Sequence, residues 1–265
     1  MSYLENHIKG TIVADNIQIG RGVVVGSGTV IEAENVVLGD GAFVGNDVVI
    51  KTKDFFIGDY SRIQAGTVGY GSKQLGIGRN CWIGGRCDLD SQGGLFIDDN
   101  VGIGSMSQIW THIRHGDVVE GCRFNSTAEV HIGKDAWFVG SCLVSPVVVG
   151  ERSMAMLGSV ITRDMLPNRT YGGCPATDIT DRVGPQFHNV SMWEKLERLK
   201  KLISDFENQY PEFVGKLVAV SDGNEIGVDD DRTYFDLGTR TYTKRFTEPE
   251  VLFLKTNGVA KFVPR

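Results

Sequence analysis

The chain has 265 residues, of which 41% are hydrophobic, so it is long enough to bury a substantial core. Its formal net charge of −6 disfavours nucleic acid as a partner, because phosphate binding requires a basic surface. No apolar run approaches the roughly 20 residues that cross a bilayer, and the polar N-terminus lacks a signal-peptide core. The five cysteines form no CxxC pair, and their odd number argues against a disulfide framework. We therefore predict a protein without a membrane span in the reducing cytoplasm.

A six-residue repeat of aliphatic residues runs through most of the first two thirds of the sequence. Its members fall into successive groups of three: Ile19, Val25 and Ile31; Leu38, Val44 and Ile50; Ile57, Ile63 and Gly69; Ile77, Ile83 and Leu89; Ile97, Ile103 and Ile109; Ile132, Phe138 and Val144; Val149, Ala155 and Ile161. Of these 21 positions, 18 are Ile, Leu or Val. A glycine commonly follows the first two members of a group, as Gly20 and Gly26 do.

A period of six fits neither an α-helix nor a simple alternating strand. It is typical of a parallel β-helix, in which each coil has three short sides and one residue per side points inward. A single coil cannot bury its inward residues, so stacked coils must supply the core. A β-sandwich with glycine turns would instead need strands spaced by roughly 8–12 residues with strict alternation.

The repeat is interrupted once, between Ile109 and Ile132. The sixth group begins about 15 residues later than the spacing of its neighbours requires, and the extra residues are mostly polar. This stretch holds three of the five histidines, His112, His115 and His131. We therefore predict a loop over residues 110–131 that leaves the β-helix and carries a catalytic base.

The repeat ends near Ile179, and the remaining sequence has a different character. SMWEKLERLKKLISDFENQ predicts a helix with one apolar stripe, formed by Trp193, Leu196, Leu199, Ile203 and Phe206. KLVAVS, RTYFDLG, TRTYTKRF and VLFLKTNGVAKFV predict short strands, with a hairpin turn at Asn257–Gly258. The predicted fold is an all-β solenoid over residues 8–182, followed by a small α+β domain over residues 183–265.

The segment LGSVITRDMLPNRTYGGCPATDI, from Leu157 to Ile179, resembles the closing segment of the left-handed β-helix hexapeptide acyltransferases, especially the sugar acetyltransferase branch. IGKDAWFVG and IDDNVGIG resemble two earlier units of that family. The chain departs from the family pattern at Val139, which stands where glycine is usual, and at Cys174, which stands where asparagine is usual. The resemblance covers roughly residues 8–182 and implies a left-handed parallel β-helix.

The resemblance also implies a function. It predicts a homotrimer with active sites between subunits, which transfers an acetyl group from acetyl-CoA to a hydroxyl or amine of a sugar or sugar nucleotide. The expected setting is a pathway that makes the sugars of surface polysaccharide or lipopolysaccharide. By matching positions, the pantetheine arm of the donor would lie along Gly140, Leu157, Gly158 and Gly172. Thr162 and Arg163 would lie near the adenine, and Arg182 near the 3′-phosphate, where the donor fork of a guanidinium suits phosphate.

Acyl transfer from a thioester needs a base that takes the proton of the acceptor, and histidine titrates near neutral pH. The family's catalytic histidine falls in the register of His112 and His115, so either residue is a candidate base. His131 precedes the returning coil and is predicted to be structural. Asp117, Glu120 and Glu129 are candidate carboxylate partners, while Asp117, Asn125 and Ser126 are candidates for contacts with the acceptor.

Two other functions are compatible with a hexapeptide solenoid. The γ-type carbonic anhydrases share it and bind zinc, but the spacing of His112, His115 and His131 does not match their ligand pattern, so we predict no metal site. A non-catalytic scaffold would gain nothing from a histidine-bearing loop. A covalent mechanism at Cys142 or Cys174 is disfavoured because no histidine is adjacent in sequence, and both are predicted to be buried packing residues.

Overall fold

The computed structural model describes residues 3–229, 231–258 and 260–265. Contacts divide the chain into two compact units, residues 6–187 and residues 188–265 together with the N-terminal residues up to Glu5. The first unit is the predicted parallel β-helix with its extruded loop. The second is a small α+β unit.

The strands of the first unit are short and follow one another around the coils. Those before the loop are β1 (His7–Ile8), β2 (Thr11–Ile19), β3 (Val24–Val25), β4 (Val30–Leu38), β5 (Phe43–Val44), β6 (Val49–Lys51), β7 (Asp54–Ile57), β8 (Arg62–Ile63), β9 (Val68–Tyr70), β10 (Leu75–Ile77), β11 (Trp82–Ile83), β12 (Asp88–Asp90), β13 (Leu95–Ile97), β14 (Gly102–Ile103) and β15 (Gln108–Ile109). The loop contains β16 (His112–Arg114) and β17 (Asn125–Thr127). After it come β18 (Val130–Ile132), β19 (Trp137–Phe138), β20 (Leu143–Val144), β21 (Val148–Val149), β22 (Met154–Ala155), β23 (Val160–Ile161), β24 (Thr170–Gly173), β25 (Ala176–Asp178) and the helical turn α1 (Thr180–Val183).

The repeat positions stack in three parallel ladders, one on each side of the coils. The first ladder joins Ile19, Leu38, Ile57, Ile77, Ile97, Ile132 and Val149. The second joins Val25, Val44, Ile63, Ile83, Ile103, Phe138 and Ala155. The third joins Ile31, Ile50, Gly69, Leu89, Ile109, Val144 and Ile161. All but Ile19 are buried, so the hexapeptide rhythm is the hydrophobic core itself.

The exceptions to the aliphatic rule have packing reasons. A side chain at Gly69 would overlap the methyl groups of Ile50 and Leu75, which already fill that part of the core. Phe138 and Ala155 are neighbours in the second ladder, so the large ring is followed by a small residue. The coil volume is thus conserved by pairing large with small residues, as close-packed interiors require.

The loop interrupts the chain without interrupting the ladders. Ile97 pairs directly with Ile132, and Ile109 pairs directly with Val144, although the hairpin is inserted between them in sequence. The inserted residues form an antiparallel hairpin in which His112 pairs with Thr127 and Arg114 with Asn125. The sequence prediction of a regular solenoid with one extruded loop is confirmed.

The second unit contains the helices α2 (Met192–Gln209) and α3 (Glu248–Thr256), the single turns at Pro211–Phe213 and Gly223–Glu225, and a four-stranded sheet of β26 (Leu217–Val220), β27 (Thr233–Asp236), β28 (Thr241–Tyr242) and β29 (Val263–Pro264). Ser191 caps α2 in a reciprocal capping box with Glu194. Of the predicted apolar stripe, Leu199, Ile203 and Phe206 are buried, whereas Trp193 is 70% exposed. None of the described helices is long and apolar enough to cross a membrane.

One sequence prediction in this unit is wrong. VLFLKTN was predicted as a strand with a hairpin turn at Asn257–Gly258, but Glu248–Thr256 is a helix and Asn257 is its C-cap, donating its backbone N–H to Phe253. Residues 249–254 are all buried, so no alternation of polar and apolar residues distinguishes helix from strand. Val259, which belongs to the predicted strand, lies outside the described residues.

Candidate active site

The site is built where the chain leaves the third side of its fifth coil. Trp110 still donates its backbone N–H to the carbonyl of Val144, at 2.9 Å, and the hairpin begins directly afterwards. The returning strand is fixed at Ala128, whose N–H donates to the carbonyl of Thr111 at 3.0 Å. Gly93 lies against both segments, and a Cβ there would overlap the carbonyls of Ala128 and Thr111. The absence of a side chain at Gly93 therefore lets the hairpin leave and return at one point.

A buried carboxylate holds the first residues of the hairpin. Asp90 ends β12, and its side chain is only 1% exposed. Its Oδ2 accepts hydrogen bonds from the backbone N–H and the hydroxyl of Thr111, at 2.7 and 2.8 Å, and from the backbone N–H of His112 at 3.1 Å. Its Oδ1 accepts from the backbone N–H of Gln92 at 2.8 Å. These hydrogen bonds hold the carboxylate in position without the help of a ligand.

The same carboxylate orients the imidazole of His112. The Nδ1 of His112 lies 2.7 Å from Oδ2 of Asp90, and the histidine side chain is 26% exposed. Burial raises the pKa of Asp90, but the hydrogen bonds from Gln92, His112 and Thr111 outweigh it and leave that pKa below its ordinary value. An ionised carboxylate only accepts hydrogen bonds, so Nδ1 carries the hydrogen. The lone pair of Nε2 is then the basic position of the ring.

His112 opens into a cleft of about 420 Å³. The cleft is lined by Trp110, His112, Ile113, Arg114, Leu143, Val144, Ser145, Val160, Ile161 and Thr162. Its floor is therefore formed by two strands of the coils after the hairpin, β20 and β23, and one wall by the first strand of the hairpin. The ring of Trp110 meets that of His112 edge to face, with 6.1 Å between the centroids. An imidazole with a free basic nitrogen beside an apolar cleft can take a proton from a bound hydroxyl or amine.

The other candidate residues of the loop lie further from this pair. His115 is exposed and does not line the cleft, so only His112 of the two candidate bases combines a carboxylate partner with a cavity. Asp117 lies at the hairpin tip, where its Oδ1 accepts from the backbone N–H groups of Val119 and Glu120, at 2.8 and 3.3 Å. Asn125 is exposed and lies opposite Arg114 in the hairpin.

His131 occupies a separate position on the outer surface of the returning coil. Its ring stacks on Phe96, with 4.9 Å between centroids, and its Nε2 lies 3.2 Å from the carboxylate of Glu129. Both side chains of this ion pair are more than half exposed. Glu129 is therefore a partner of His131, and the partner of His112 is Asp90.

The residues predicted to bind the acyl donor follow the last coils. Gly140 is buried with a φ of 154°, and Gly158 is exposed with a φ of 71°. Leu157, which directly precedes Gly158, is 69% exposed. Gly172 lies in β24, where a Cβ would approach Ile179 to 2.9 Å. Thr162 lines the cleft itself.

The two arginines predicted near the nucleotide are exposed, and neither has an ion-pair partner among the described residues. Asp164, next to Arg163, instead accepts from the backbone N–H of Val148 at 2.8 Å. Asp178 and Asp181, near Arg182, pair with Arg169 at 3.7 and 3.8 Å. These three acidic neighbours of the two arginines thus have other partners.

Sequence reasoning missed Asp90, Trp110, Arg114 and Ser145. The signal for Asp90 was present, because Leu89 and Ile109 are neighbours in the third ladder and Asp90 must then lie beside the start of the hairpin. The loop carboxylates are nearer to His112 in sequence, whereas Asp90 reaches it only through the stacking of two coils. Cys174 is exposed, which corrects the prediction that it is a buried packing residue, whereas Cys142 is buried as predicted. No group of three or more His, Cys, Asp or Glu side chains suited to a metal ion is found in the part of the chain that the structure describes.

No family model matches the chain, and no curated protein matches it. Solved structures similar to it include the polysialic acid-specific acetyltransferase NeuO, at 18% identity and a TM-score of 0.42, covering 76% of this chain and 99% of that one. The polysialic acid O-acetyltransferase OatWY is 17% identical with a TM-score of 0.47, covering 69% and 92% of the two chains. A hexapeptide-repeat acetyltransferase from Vibrio cholerae O1 biovar eltor, solved with acetyl-CoA, is 19% identical with a TM-score of 0.35, covering 54% and 68%.

The chain resembles hexapeptide-repeat acetyltransferases of known structure.

Proposed function

We propose that the protein is a CoA-dependent acyltransferase that moves an acetyl group from acetyl-CoA to a hydroxyl or amine of a sugar acceptor, with His112 as the general base. The observation that carries this proposal is the hydrogen bond between the buried Asp90 and His112 at the mouth of the cleft. A carboxylate that fixes the tautomer of an imidazole beside an open cavity is the arrangement that general base catalysis needs.

The proposed reaction is a direct transfer. Nε2 of His112 takes the proton of the acceptor hydroxyl or amine as the acceptor attacks the thioester carbonyl, and the charge of Asp90 stabilises the resulting imidazolium. When the tetrahedral intermediate collapses, the carbon–sulfur bond breaks and the imidazolium returns its proton to the leaving thiolate. The products are the acetylated acceptor and free CoA, and His112 is neutral again.

The last coils offer surfaces suited to the acyl donor. Leu143, Val144, Val160 and Ile161 give the cleft an apolar floor for the acetyl and pantetheine groups. We propose that Gly140, Leu157, Gly158 and Gly172 lie along the pantetheine arm and Thr162 at its cleft end. The exposed guanidinium group of Arg182 would bind the 3′-phosphate, and that of Arg163 would lie near the adenine; neither has a carboxylate partner in the described residues.

We also propose a homotrimer with active sites between subunits. Trp82 and Trp137 point outward from the strands that carry the second ladder, where each pairs with Gly102 from one side. Their side chains are 43% and 42% exposed. The hairpin presents Val119 and Phe124 to solvent. Exposed apolar groups of this size favour self-association. Sedimentation equilibrium tests this directly, and a monomer at micromolar concentration would contradict it.

The setting that we propose is the assembly of surface polysaccharide sugars in the cytoplasm. All five cysteines are free, although two are accessible, which is consistent with a reducing compartment.

The test of the function uses the purified full chain and acetyl-CoA. Calorimetric titration should show micromolar binding to the wild type and to His112→Ala, because the substitution leaves the apolar floor of the cleft and the donor contacts along the last coils in place. CoA release in the presence of sugar acceptors should fall about 10²- to 10⁴-fold in His112→Ala, the usual contribution of general base catalysis. His115→Ala is the matched control, since it removes a neighbouring exposed imidazole that does not line the cleft.

The outcomes separate the candidate functions. Equal losses of CoA release in the two variants would contradict the assignment of His112 as the base. Failure of the wild type to bind acetyl-CoA would overturn the transferase and favour a non-catalytic scaffold.

A further inference from the structure

The first strand of the hairpin places a second functional group beside His112. Residues two apart in a β-strand point to the same face, about 7 Å apart at Cα, so Arg114 lies on the same face of β16 as His112. Directly opposite residues of an antiparallel pair also share a face, so Asn125 joins Arg114 and Thr127 joins His112. One face of the hairpin therefore carries an imidazole, a guanidinium, an amide and a hydroxyl.

Among the described residues that line the cleft, Arg114 carries a positive charge and no carboxylate accompanies it. Arg114 is exposed and forms no ion pair or hydrogen bond through its side chain in the described part of the chain. Two carboxylates of the loop have partners elsewhere, since Asp117 accepts from amides of the hairpin tip and Glu129 lies against His131.

From this arrangement we infer that the acceptor is an anionic sugar, whose carboxylate or phosphate group is bound by Arg114 and Asn125 while a hydroxyl or amine of the same ring faces Nε2 of His112. This rests on the proposed transferase and names its acceptor class. An arginine fork binds a carboxylate or phosphate through two parallel hydrogen bonds, and an adjacent amide N–H₂ can donate a third. His112 and Arg114 are two residues apart on the strand, and this spacing is similar to the distance between two substituents of a single sugar ring.

The acyl donor is a second source of anionic groups, because CoA carries phosphates. The position of Arg114 favours the acceptor, since it lies on the hairpin beside the base and not along the last coils with Arg163 and Arg182. The experiment must nevertheless separate the two sources.

The test measures acetyl transfer from acetyl-CoA to a panel of matched sugars. Methyl glycosides of glucuronic, galacturonic and mannuronic acid, a nonulosonic acid glycoside, and hexose 6-phosphates are each compared with the neutral hexose or methyl ester of the same ring. The variants are Arg114→Gln, Arg114→Lys and, as the matched control, Arg123→Gln. Arg123 is an exposed arginine of the same hairpin that does not line the cleft, so its loss removes the same charge without the same contact.

The inference predicts that the wild type prefers at least one acidic sugar over its neutral partner by tenfold or more in kcat/KM. Arg114→Gln should lower kcat/KM for that acid by roughly 10- to 100-fold, the size of a lost charge-assisted contact, mainly through KM, and leave the neutral partner unchanged. Arg114→Lys should restore part of the preference, and Arg123→Gln should keep it. The Kd of CoA from calorimetry should be the same in all four proteins.

Other outcomes overturn the inference and each identifies its cause. Equal rates for acid and neutral partners, or a preference that survives in Arg114→Gln, would show that Arg114 does not select the acceptor. Weaker CoA binding in Arg114→Gln with an unchanged preference would assign the guanidinium to the donor phosphates. Tight CoA binding without transfer to any acid would refute the acidic acceptor and leave the transferase standing, whereas no CoA binding would refute the transferase itself.

Discussion

The coils and the hairpin of the same unit are held together in different ways. In the coils, each inward side chain lies between two neighbours of its ladder, as Ile103 does between Ile83 and Phe138, and all three are fully buried. In the hairpin, Val119 is 90% exposed and the two strands share only a three-residue ladder. The base of the hairpin is fixed instead by polar contacts to Asp90.

The coils therefore provide the stability of this unit, whereas the hairpin provides exposed side chains of the candidate site. Burial of each branched side chain contributes about 1.5–3 kcal/mol, so the coils supply the free energy of folding. The hairpin buries little and contributes little to it, which leaves its side chains available for ligands. The carboxylate of Asp90 belongs to the stable part, and the imidazole that it orients belongs to the exposed part.

The largest contrast is expected in cysteine reactivity. Cys87 and Cys142 are buried in the coils, whereas Cys122 is on the hairpin. Burial raises the pKa of the Cys87 thiol to about 11, which suppresses the thiolate that reacts. A disulfide reagent at pH 8 should therefore modify Cys122 and Cys174 roughly 10³-fold faster than the buried cysteines, which react only after the coils open. Peptide mass mapping over time measures the rates, and rapid native labelling of Cys87 would contradict a closed core.

The next largest effect is expected from a cavity in the second ladder. Ile103→Ala should lower the free energy of unfolding by about 2–5 kcal/mol, because it removes buried methyl groups between two packed neighbours. Urea denaturation followed by circular dichroism measures the change. The matched control is Val119→Ser on the hairpin, which should stay within about 0.5 kcal/mol of the wild type. Similar losses in the two variants would show that the hairpin is part of the stable core.

Asp90→Asn probes the junction of the two regions. The substitution removes the charge that fixes the tautomer of His112, so transferase activity should fall by roughly 10²-fold or more. The lowered pKa of Asp90 means that its charge stabilises the folded state at pH values above its ordinary pKa of about 3.9, and that this contribution is lost as the pH falls through the lower folded value. The difference in unfolding free energy between wild type and variant should therefore be largest at neutral pH and narrow below about pH 4.

One control variant and one possible outcome keep this prediction specific. Asp99→Asn changes a coil carboxylate that accepts from the backbone N–H of Arg79 and lies outside the cleft, so it should leave activity unchanged. A difference in stability that grows on acidification would contradict the sign derived for Asp90.

The smallest effect is expected at the hairpin tip. Asp117→Ala removes the acceptor of the Val119 and Glu120 amides, and a hydrogen bond of this kind is worth about 1 kcal/mol. Hydrogen exchange of these two amides should become about fivefold faster, while the exchange of coil amides and the global unfolding free energy stay unchanged. A large rise in the KM of the acceptor instead would show that Asp117 binds substrate, as the sequence predicted.

The sequence predicted the coils more completely than it predicted the site at the base of the hairpin. The inward residues could be placed one by one because burial repeats every six positions, and the ladders from Ile19 to Ile161 match that rhythm. Asp90 was missed because it contacts His112 only through the stacking of two coils, and the two residues are far apart in sequence. Val251–Leu254 was predicted as a strand and is helical, because a segment buried on every side shows no polar period.

The unbroken ladders on both sides of the hairpin make it a replaceable insert. Since Ile97 still pairs with Ile132 and Ile109 with Val144, the segment between His112 and Thr127 can lengthen, shorten or change sequence without altering the register of the coils. A lineage, or a designer, could exchange the outer part of this hairpin for another while keeping Asp90, His112 and the last coils. New acceptor preferences would then arise by grafting a segment rather than by rebuilding the protein.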